Sequence, residues 1–373
     1  MNRYTWLTAA LVGCFAAGHI AVADEAGDVI AELGLVESDL PVREMPGWTA
    51  PEAIIVLTDS DERLAWYQQV VPESVTLLAA RNNGEAVQLA TENAGRVRAA
   101  VGFCSASLVN AGPNLHWLHM PFAGVAQCVS IPQVASGGYV VTNMQRLAGP
   151  QIAEHVIAMM MYFARGLDHY AAAQRAGRWD RFALPPGDLW AISEKTMLVA
   201  GLGGIGTQTA RLASGLGMRV IATRNSSRTG PDYVDYVGLS DELPDLVGQA
   251  DVVVNALPLT DETDDLFDAA MFARMKEGAL FINVGRGGSV VTEDLIAALE
   301  SGQVGGAGLD VQDPEPVPDG HPLFAAPNLL ITPHTSSFND SGRDKFWIVL
   351  RENLRRYVAG EPMLSLVDIE AGY

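Results

Sequence analysis

Thr196-Met197-Leu198-Val199-Ala200 runs directly into Gly201-Leu202-Gly203-Gly204-Ile205-Gly206, and residues 207–217 continue in a helical pattern. An apolar run of strand length, a glycine-rich turn and a helix follow from that order. In such a turn Gly201 permits the tight reversal, Gly203 lets the backbone approach a pyrophosphate, and Gly206 lets the helix pack close to the strand. The helix start adds free N–H groups and partial positive charge, so the ligand implied is a dinucleotide. A bare GxGxxG also occurs as an ordinary turn in an α/β domain, and context separates the two. Here a second apolar run, residues 219–223, follows the helix and ends at Arg224, about where the residue that reads the ribose is expected. An acid there accepts hydrogen bonds from ribose hydroxyls. Arg224, followed by Asn225, Ser226, Ser227 and Arg228, instead groups cations and short donors suited to a phosphate, the alternative being a solvated basic turn.

Working outward, strand and helix patterns alternate on both sides. Downstream come a helix over 241–247, strands at 251–256 and 279–284, a helix that Thr292 caps, and strands near 307–311 and 329–332. Upstream, short apolar runs at 53–57, 75–78, 97–103, 117–120 and 139–141 define a smaller α/β unit. Gly149-Pro150 opens a long helix over 151–165 whose apolar positions Ile152, Val156, Met159 and Met160 recur at helical spacing. Such alternation predicts parallel sheets covered by helices on both faces, with ligands at the carboxyl ends of the strands.

Length and composition agree: 373 residues, 49% of them hydrophobic, suffice for two α/β domains with separate cores. A formal charge of −20 argues against nucleic acid or an anionic membrane surface as partner. Residues 1–23 read as a signal peptide, with Arg3, an apolar run from Trp6 to Ala17, and Ala21-Val22-Ala23 as the cleavage site. The expected location is therefore the periplasm or outside, the alternative being a cytoplasmic enzyme with an N-terminal extension; cleavage takes the charge to 23 − 44 = −21. Residues 24–52 are acidic, weakly periodic and read as an appendage. Cys104 and Cys128 form neither a disulfide framework nor a metal site and are treated as buried thiols, although export permits one disulfide between them. No metal site is expected.

Chemistry-bearing residues fall just past successive strand ends: Arg286 in NVGRGG, Glu315 in LDVQDPEP and His334 in ITPHTSS. Singly they read as a surface arginine, a loop acid and a helix-start histidine. Strand-end placement in one nucleotide-binding sheet favours a shared pocket.

With GLGGIG, NVGRGG, GAGLDV through PEP, and TPH in order, the chain resembles the D-isomer-specific 2-hydroxyacid dehydrogenases from about Leu115 to the C-terminus. The resemblance implies two doubly wound parallel-sheet domains, a Rossmann coenzyme domain (149–337) inserted into a smaller flavodoxin-like substrate domain (53–148, completed by 338–373). It also implies a nicotinamide cofactor, with NADP preferred on account of Arg224 and NAD possible, and a homodimer. By the same resemblance Arg286 binds the substrate carboxylate and polarises the keto oxygen. His334 exchanges the proton and Glu315 supports it; such a group suits an alkoxide-forming step. Asp310 would face the nicotinamide amide, Pro258, Thr263 and Val284 would line the cofactor with Gly204 and Ile205, and N–H groups around Ala123 and Gly124 would hold the carboxylate. Asn143 and Glu154 match motif positions without an assigned role, and His116, His119 and His321 read as structural.

The sequence departs from the family pattern where Ala126 follows Val125 in place of the usual Asp, and Cys104 to Asn110 lacks the arginines a phosphorylated substrate would need. The expectation is therefore a reductase of a small 2-keto acid such as glyoxylate or hydroxypyruvate. The alternatives are a formate dehydrogenase-like enzyme, which carries Gln where Glu315 stands, or a non-catalytic NAD(P)-binding sensor.

Overall fold

The computed structural model describes residues 25–340 and 342–372, so the signal-peptide segment 1–23 lies outside the described residues. Among those described, the strands are β1 Glu37–Pro41, β2 Ala53–Leu57, β3 Thr76–Ala80, β4 Val97–Val101, β5 Trp117–His119, β6 Val140–Thr142, β7 Thr196–Ala200, β8 Arg219–Thr223, β9 Tyr236–Gly238, β10 Val252–Asn255, β11 Ala279–Asn283, β12 Val304–Leu309, β13 Leu329–Ile331 and β14 Pro362–Leu364. The chain divides into two compact units, Arg146–Asp340 and the residues flanking it on both sides.

In the unit Arg146–Asp340, strands β7 to β13 form one sheet in the order β13-β12-β11-β10-β7-β8-β9. Every pairing is parallel, as in Val252 beside Met197 and Thr196 beside Arg219. Successive residues serve opposite cores: Leu198, Ile221, Val253 and Phe281 pack on one face, Met197, Val199, Val220 and Ile282 on the other. Burial on both faces is why these strands read as continuous apolar runs rather than alternating ones. Strand order reverses between β7 and β10, and a doubly wound sheet opens its ligand crevice at the carboxyl ends around that reversal. The long helix is Gly149–Ala164, with Met159 and Met160 buried as core filler. Local readings shift in places. Residues 240–249 form a short helix, Leu243–Leu246, between 3-10 turns, because Pro244 limits it. Thr292 is the first residue inside its helix rather than the cap, and its hydroxyl donates to the Asp313 carbonyl. Strand β9, three residues long, was too short to announce itself.

The flanking unit holds a parallel sheet in the order β3-β2-β4-β5-β6, the flavodoxin-like arrangement. The acidic segment expected as an appendage is built into this unit. A helix over 25–33 buries Ala26, Val29 and Leu33, and β1 pairs antiparallel with β14. Beyond it, the Trp48 indole donates to the Tyr357 carbonyl. His116 is fixed between the Pro46 carbonyl and the Tyr357 hydroxyl, and His119 is buried with Nδ1 2.7 Å from Thr142 Oγ1. Burial pushes His119 down to about 3, which keeps it neutral and structural. Cys104 and Cys128 are not free thiols. They form a disulfide with Cα atoms 5.6 Å apart, tying the loop after β4 to the short helix Ala126–Val129.

Candidate active site and dinucleotide cradle

The cradle follows from the glycines after β7. Gly201 has φ +94°, a conformation open to glycine, and a Cβ on Gly206 would lie 1.9 Å from the Gly201 carbonyl oxygen. Around Gly203 a Cβ would meet nothing within 4 Å, so the backbone there faces open space at the start of helix Gly204–Gly215. Ile205 is half-buried beside it.

At the end of β8 the predicted phosphate group divides. Arg224 donates one hydrogen bond to the Thr229 carbonyl at 3.0 Å and carries no ion pair among the described residues. Arg228 is already committed, 2.7 Å from Glu242 and bonded to the Tyr236 hydroxyl. Asn225 accepts from Ser240, and Ser226 is exposed. After β10, the Thr263 hydroxyl donates to the Pro258 carbonyl at 2.7 Å and accepts from the Thr260 N–H, closing the loop on which Pro258 is exposed. Val284 is buried in the sheet core, its N–H on the Asn255 carbonyl.

At the chemical end, His334 Nδ1 lies 2.5 Å from Glu315 Oε1. That contact leaves Nε2 as the nitrogen available to a reactant. Both side chains are partly exposed, 50% for His334 and 35% for Glu315, so the pair is accessible. It edges an apolar groove of about 990 Å³ floored by Val317, Leu323, Leu329 and Ile331. Arg286 is mostly buried; burial lowers its pKa while the neighbouring charge of Glu315 opposes that shift. Arg286, Glu315 and His334 are thus brought together within one unit.

Polar residues that end apolar strands hold this set in place, and sequence reading assigned them no such role. Asn255 donates to Asn283 Oδ1 at 3.0 Å and to Ser289. Asn283 and Ser289 in turn donate to the Arg286 carbonyl at 3.0 and 2.7 Å. Asn255, Asn283 and Ser289 are fully buried. Asp310, expected to face the nicotinamide, spends its carboxylate on the histidine loop. It accepts from the Thr332 and Ser336 hydroxyls and from the Thr335 and Ser336 N–H groups. Its own carbonyl takes the His334 N–H at 2.9 Å, holding His334 at φ +54°. Burial raises the Asp310 pKa, but those hydrogen bonds outweigh it and the net shift is downward. The signal was in the sequence: Asn closes VVVN and LFIN, and Asp closes GAGLD.

In the flanking unit, the loop bearing Ala123 and Gly124 is anchored by Asn143, whose amide donates to the Ala123 carbonyl at 2.7 Å. Ala123 is exposed. Among the described residues no His, Cys, Asp and Glu cluster could hold a metal, and no helix is long and apolar enough to cross a membrane.

A parallel sheet with a glycine cradle at its reversal and an Arg, Glu, His set on the same unit defines a dinucleotide-dependent oxidoreductase. Residues 157–336 match the family model for the NAD binding domain of D-isomer specific 2-hydroxyacid dehydrogenases. The glycerate dehydrogenase of Methylorubrum extorquens is 34% identical over 230 residues, 60% of this chain and 70% of that protein. A D-isomer specific 2-hydroxyacid dehydrogenase from Xanthobacter autotrophicus Py2, solved with NADPH and MES, superposes with TM-score 0.70 at 30% identity, covering 87% of this chain and all of that one. An NADPH-dependent glyoxylate/hydroxypyruvate reductase from Sinorhizobium meliloti, solved with NADP and sulfate, gives TM-score 0.71 at 26% identity over 86% of this chain. The chain belongs to the D-isomer specific 2-hydroxyacid dehydrogenase family.

Proposed function

We propose that this NAD(P)-dependent dehydrogenase works as a reductase of a small 2-keto acid such as glyoxylate or hydroxypyruvate, with NADPH preferred over NADH. The observation that carries the reading is His334 held through Nδ1 by Glu315 on the same unit as Arg286. Relatives named glyoxylate/hydroxypyruvate reductase support the substrate class. The residues present fit a dinucleotide: the space around Gly203 and the unpaired Arg224 suit phosphates. When bound, the cofactor supplies the hydride.

The remaining steps belong to the chain. Arg286, a permanent cation, pairs with the substrate carboxylate and draws electron density from the keto oxygen as charge develops there. His334 Nε2 gives its proton to that oxygen, and Glu315 stabilises the imidazolium before the transfer and fixes the ring. N–H groups around Ala123 and Gly124 are proposed to hold the carboxylate. Asn255 and Asn283 keep Arg286 in register by restraining its backbone.

Oxidation of NADPH and NADH with glyoxylate, hydroxypyruvate and pyruvate tests this directly. Turnover with none of them and no reduction of NAD or NADP by formate, alongside intact cofactor binding, would favour a sensor; reduction of NAD or NADP by formate alone would favour the formate dehydrogenase-like alternative. Export through residues 1–23 belongs to the same proposal and is supported by the Cys104–Cys128 disulfide, a bond typical of oxidising compartments. Mature protein should begin at Asp24, and mass spectrometry finding Met1 or Asn2 at the N-terminus would refute it. A homodimer is also proposed, and light scattering reads its mass.

A further inference from the structure

The phosphate end of the cradle holds a cation that no motif announces. Arg146 lies at the first position of the nucleotide-binding unit, ahead of the long helix, and turns against the start of helix Gly204–Gly215. A Cβ on Gly204 would sit 2.8 Å from Arg146 Cγ and 3.0 Å from Arg146 Cα, so the arginine rests on the glycine turn itself. Next to it, a Cβ on Gly149 would lie 2.8 Å from the Gly204 carbonyl oxygen, which shows the same close approach of the two segments.

Arg146 has φ +69°, where glycine is the ordinary occupant, so an arginine stands there at a conformational cost. Its side chain is half-buried. Among the described residues it donates no side-chain hydrogen bond and meets no carboxylate, whereas Arg228 nearby in sequence to Arg224 is neutralised by Glu242. The nearest influence on its charge after burial is another cation, Arg224, and both push its pKa below the ordinary value. Two guanidiniums that raise each other's energy, one of them unpaired over a helix start, gain from an anion between or beside them.

From this geometry we infer that Arg146 is a ligand of the cofactor's pyrophosphate, acting beside the Gly203 and Gly204 backbone while Arg224 serves the ribose phosphate. The assignment rests on the dinucleotide reading above. It separates two kinds of phosphate contact: Arg146 serves a group common to NADPH and NADH, and Arg224 serves one found only in NADPH.

Calorimetric titration of the whole protein with NADPH, NADH, ADP and 2′-AMP separates them without turnover. Arg146→Gln should raise the Kd for NADPH, NADH and ADP together by about tenfold or more, as expected for a lost charged hydrogen bond, and leave 2′-AMP within about twofold. Arg146→Gly, which suits the left-handed backbone, should show the same loss with an unchanged or higher melting temperature, so a folding defect is separable. Arg146→Lys should recover part of the affinity. Wild-type protein that binds none of the four ligands sinks the dinucleotide reading and this assignment with it. Binding in the wild type that is unaltered in Arg146→Gln and Arg146→Gly overturns the assignment alone. Loss confined to NADPH and 2′-AMP overturns it as well, by placing Arg146 on the ribose phosphate.

Discussion

The two ends of the nucleotide-binding unit are built differently. At the chemical end, Asn255, Asn283, Ser289 and Asp310 are buried, satisfied by hydrogen bonds, and bonded to the loops that carry Arg286 and His334. At the phosphate end, Arg224 leans on one carbonyl, Arg228 sits in an exposed ion pair, and Arg146 is unpaired. Proton and hydride transfer tolerate little displacement, so their residues are held by buried networks. Phosphate binding needs charge more than fixed geometry, and its contribution falls on ground and transition states alike. Damage at the chemical end should therefore appear in kcat, and damage at the phosphate end in affinity.

The largest effect expected is at His334. His334→Gln keeps a polar side chain of similar reach but removes the proton donor, so kcat should fall about a hundredfold to ten-thousandfold. The Kd for NADPH should change less than about twofold, because this ring holds no cofactor in the proposed scheme. Single-turnover rates and titrations check both halves, and a variant keeping a tenth of wild-type turnover at a chemistry-limited rate would remove His334 from the acid role.

Asp310→Asn comes next. The amide cannot accept from every donor that now converges on the carboxylate, and in either orientation its NH2 would face the Ser336 N–H, which now donates to both oxygens. Stability should drop by about 1–3 kcal/mol. The His334 loop should loosen and kcat should fall about tenfold to a hundredfold. Thermal melts and kcat report the two effects. A large rise in the Kd for NADPH with kcat preserved would point instead to a direct cofactor contact.

These expectations also show where the sequence was legible. GLGGIG, NVGRGG and the PEP and TPH segments announced the cradle and Arg286, Glu315 and His334, because each depends on a few adjacent residues whose backbone and chemistry are fixed locally. The supports were harder to read. Asn255 and Asn283 meet across neighbouring strands, Asp310 reaches the loop after β13, and Cys104 finds Cys128 through sheet topology rather than spacing. The segment before Ala53 looked detached because its partners, β14 and Tyr357, lie at the other end of the chain. Arg228 is a case of the opposite kind. Its residue type fitted a phosphate, and only the tertiary position of Glu242 shows the charge already taken.

At the phosphate end, Arg224→Asp should reverse cofactor preference. The acid would repel the 2′-phosphate and accept from ribose hydroxyls, so KM for NADPH should rise about tenfold or more and KM for NADH should fall, with kcat for either cofactor nearly unchanged. Steady-state kcat/KM for both cofactors measures it. A wild-type enzyme that favours NADH would show that Arg224 points away from the ribose.

The smallest effect expected comes from Glu242, and it bears most directly on why the phosphate end is loose. Hydrogen bonds from the Tyr236 hydroxyl, the Leu239 N–H and Arg228 hold its carboxyl down at about 2, so it stays ionised through any working pH. Because the folded value is depressed, those interactions are fully present above the ordinary carboxylate range and fade only as pH falls toward 2. An ionised acid on this loop competes with the 2′-phosphate for Arg228 and repels it. Glu242→Gln should thus tighten NADPH about twofold to fivefold while leaving NADH unchanged, the modest size reflecting solvent access to the pair, whose Arg228 side chain is exposed and whose Glu242 side chain is partly so. The gain should shrink as ionic strength rises from about 0.01 M to 0.5 M, since exposed charges are screened. Weaker NADPH binding in this variant would mean that Glu242 presents Arg228 to the phosphate rather than withholding it, and the phosphate end would then be as deliberately braced as the chemical one.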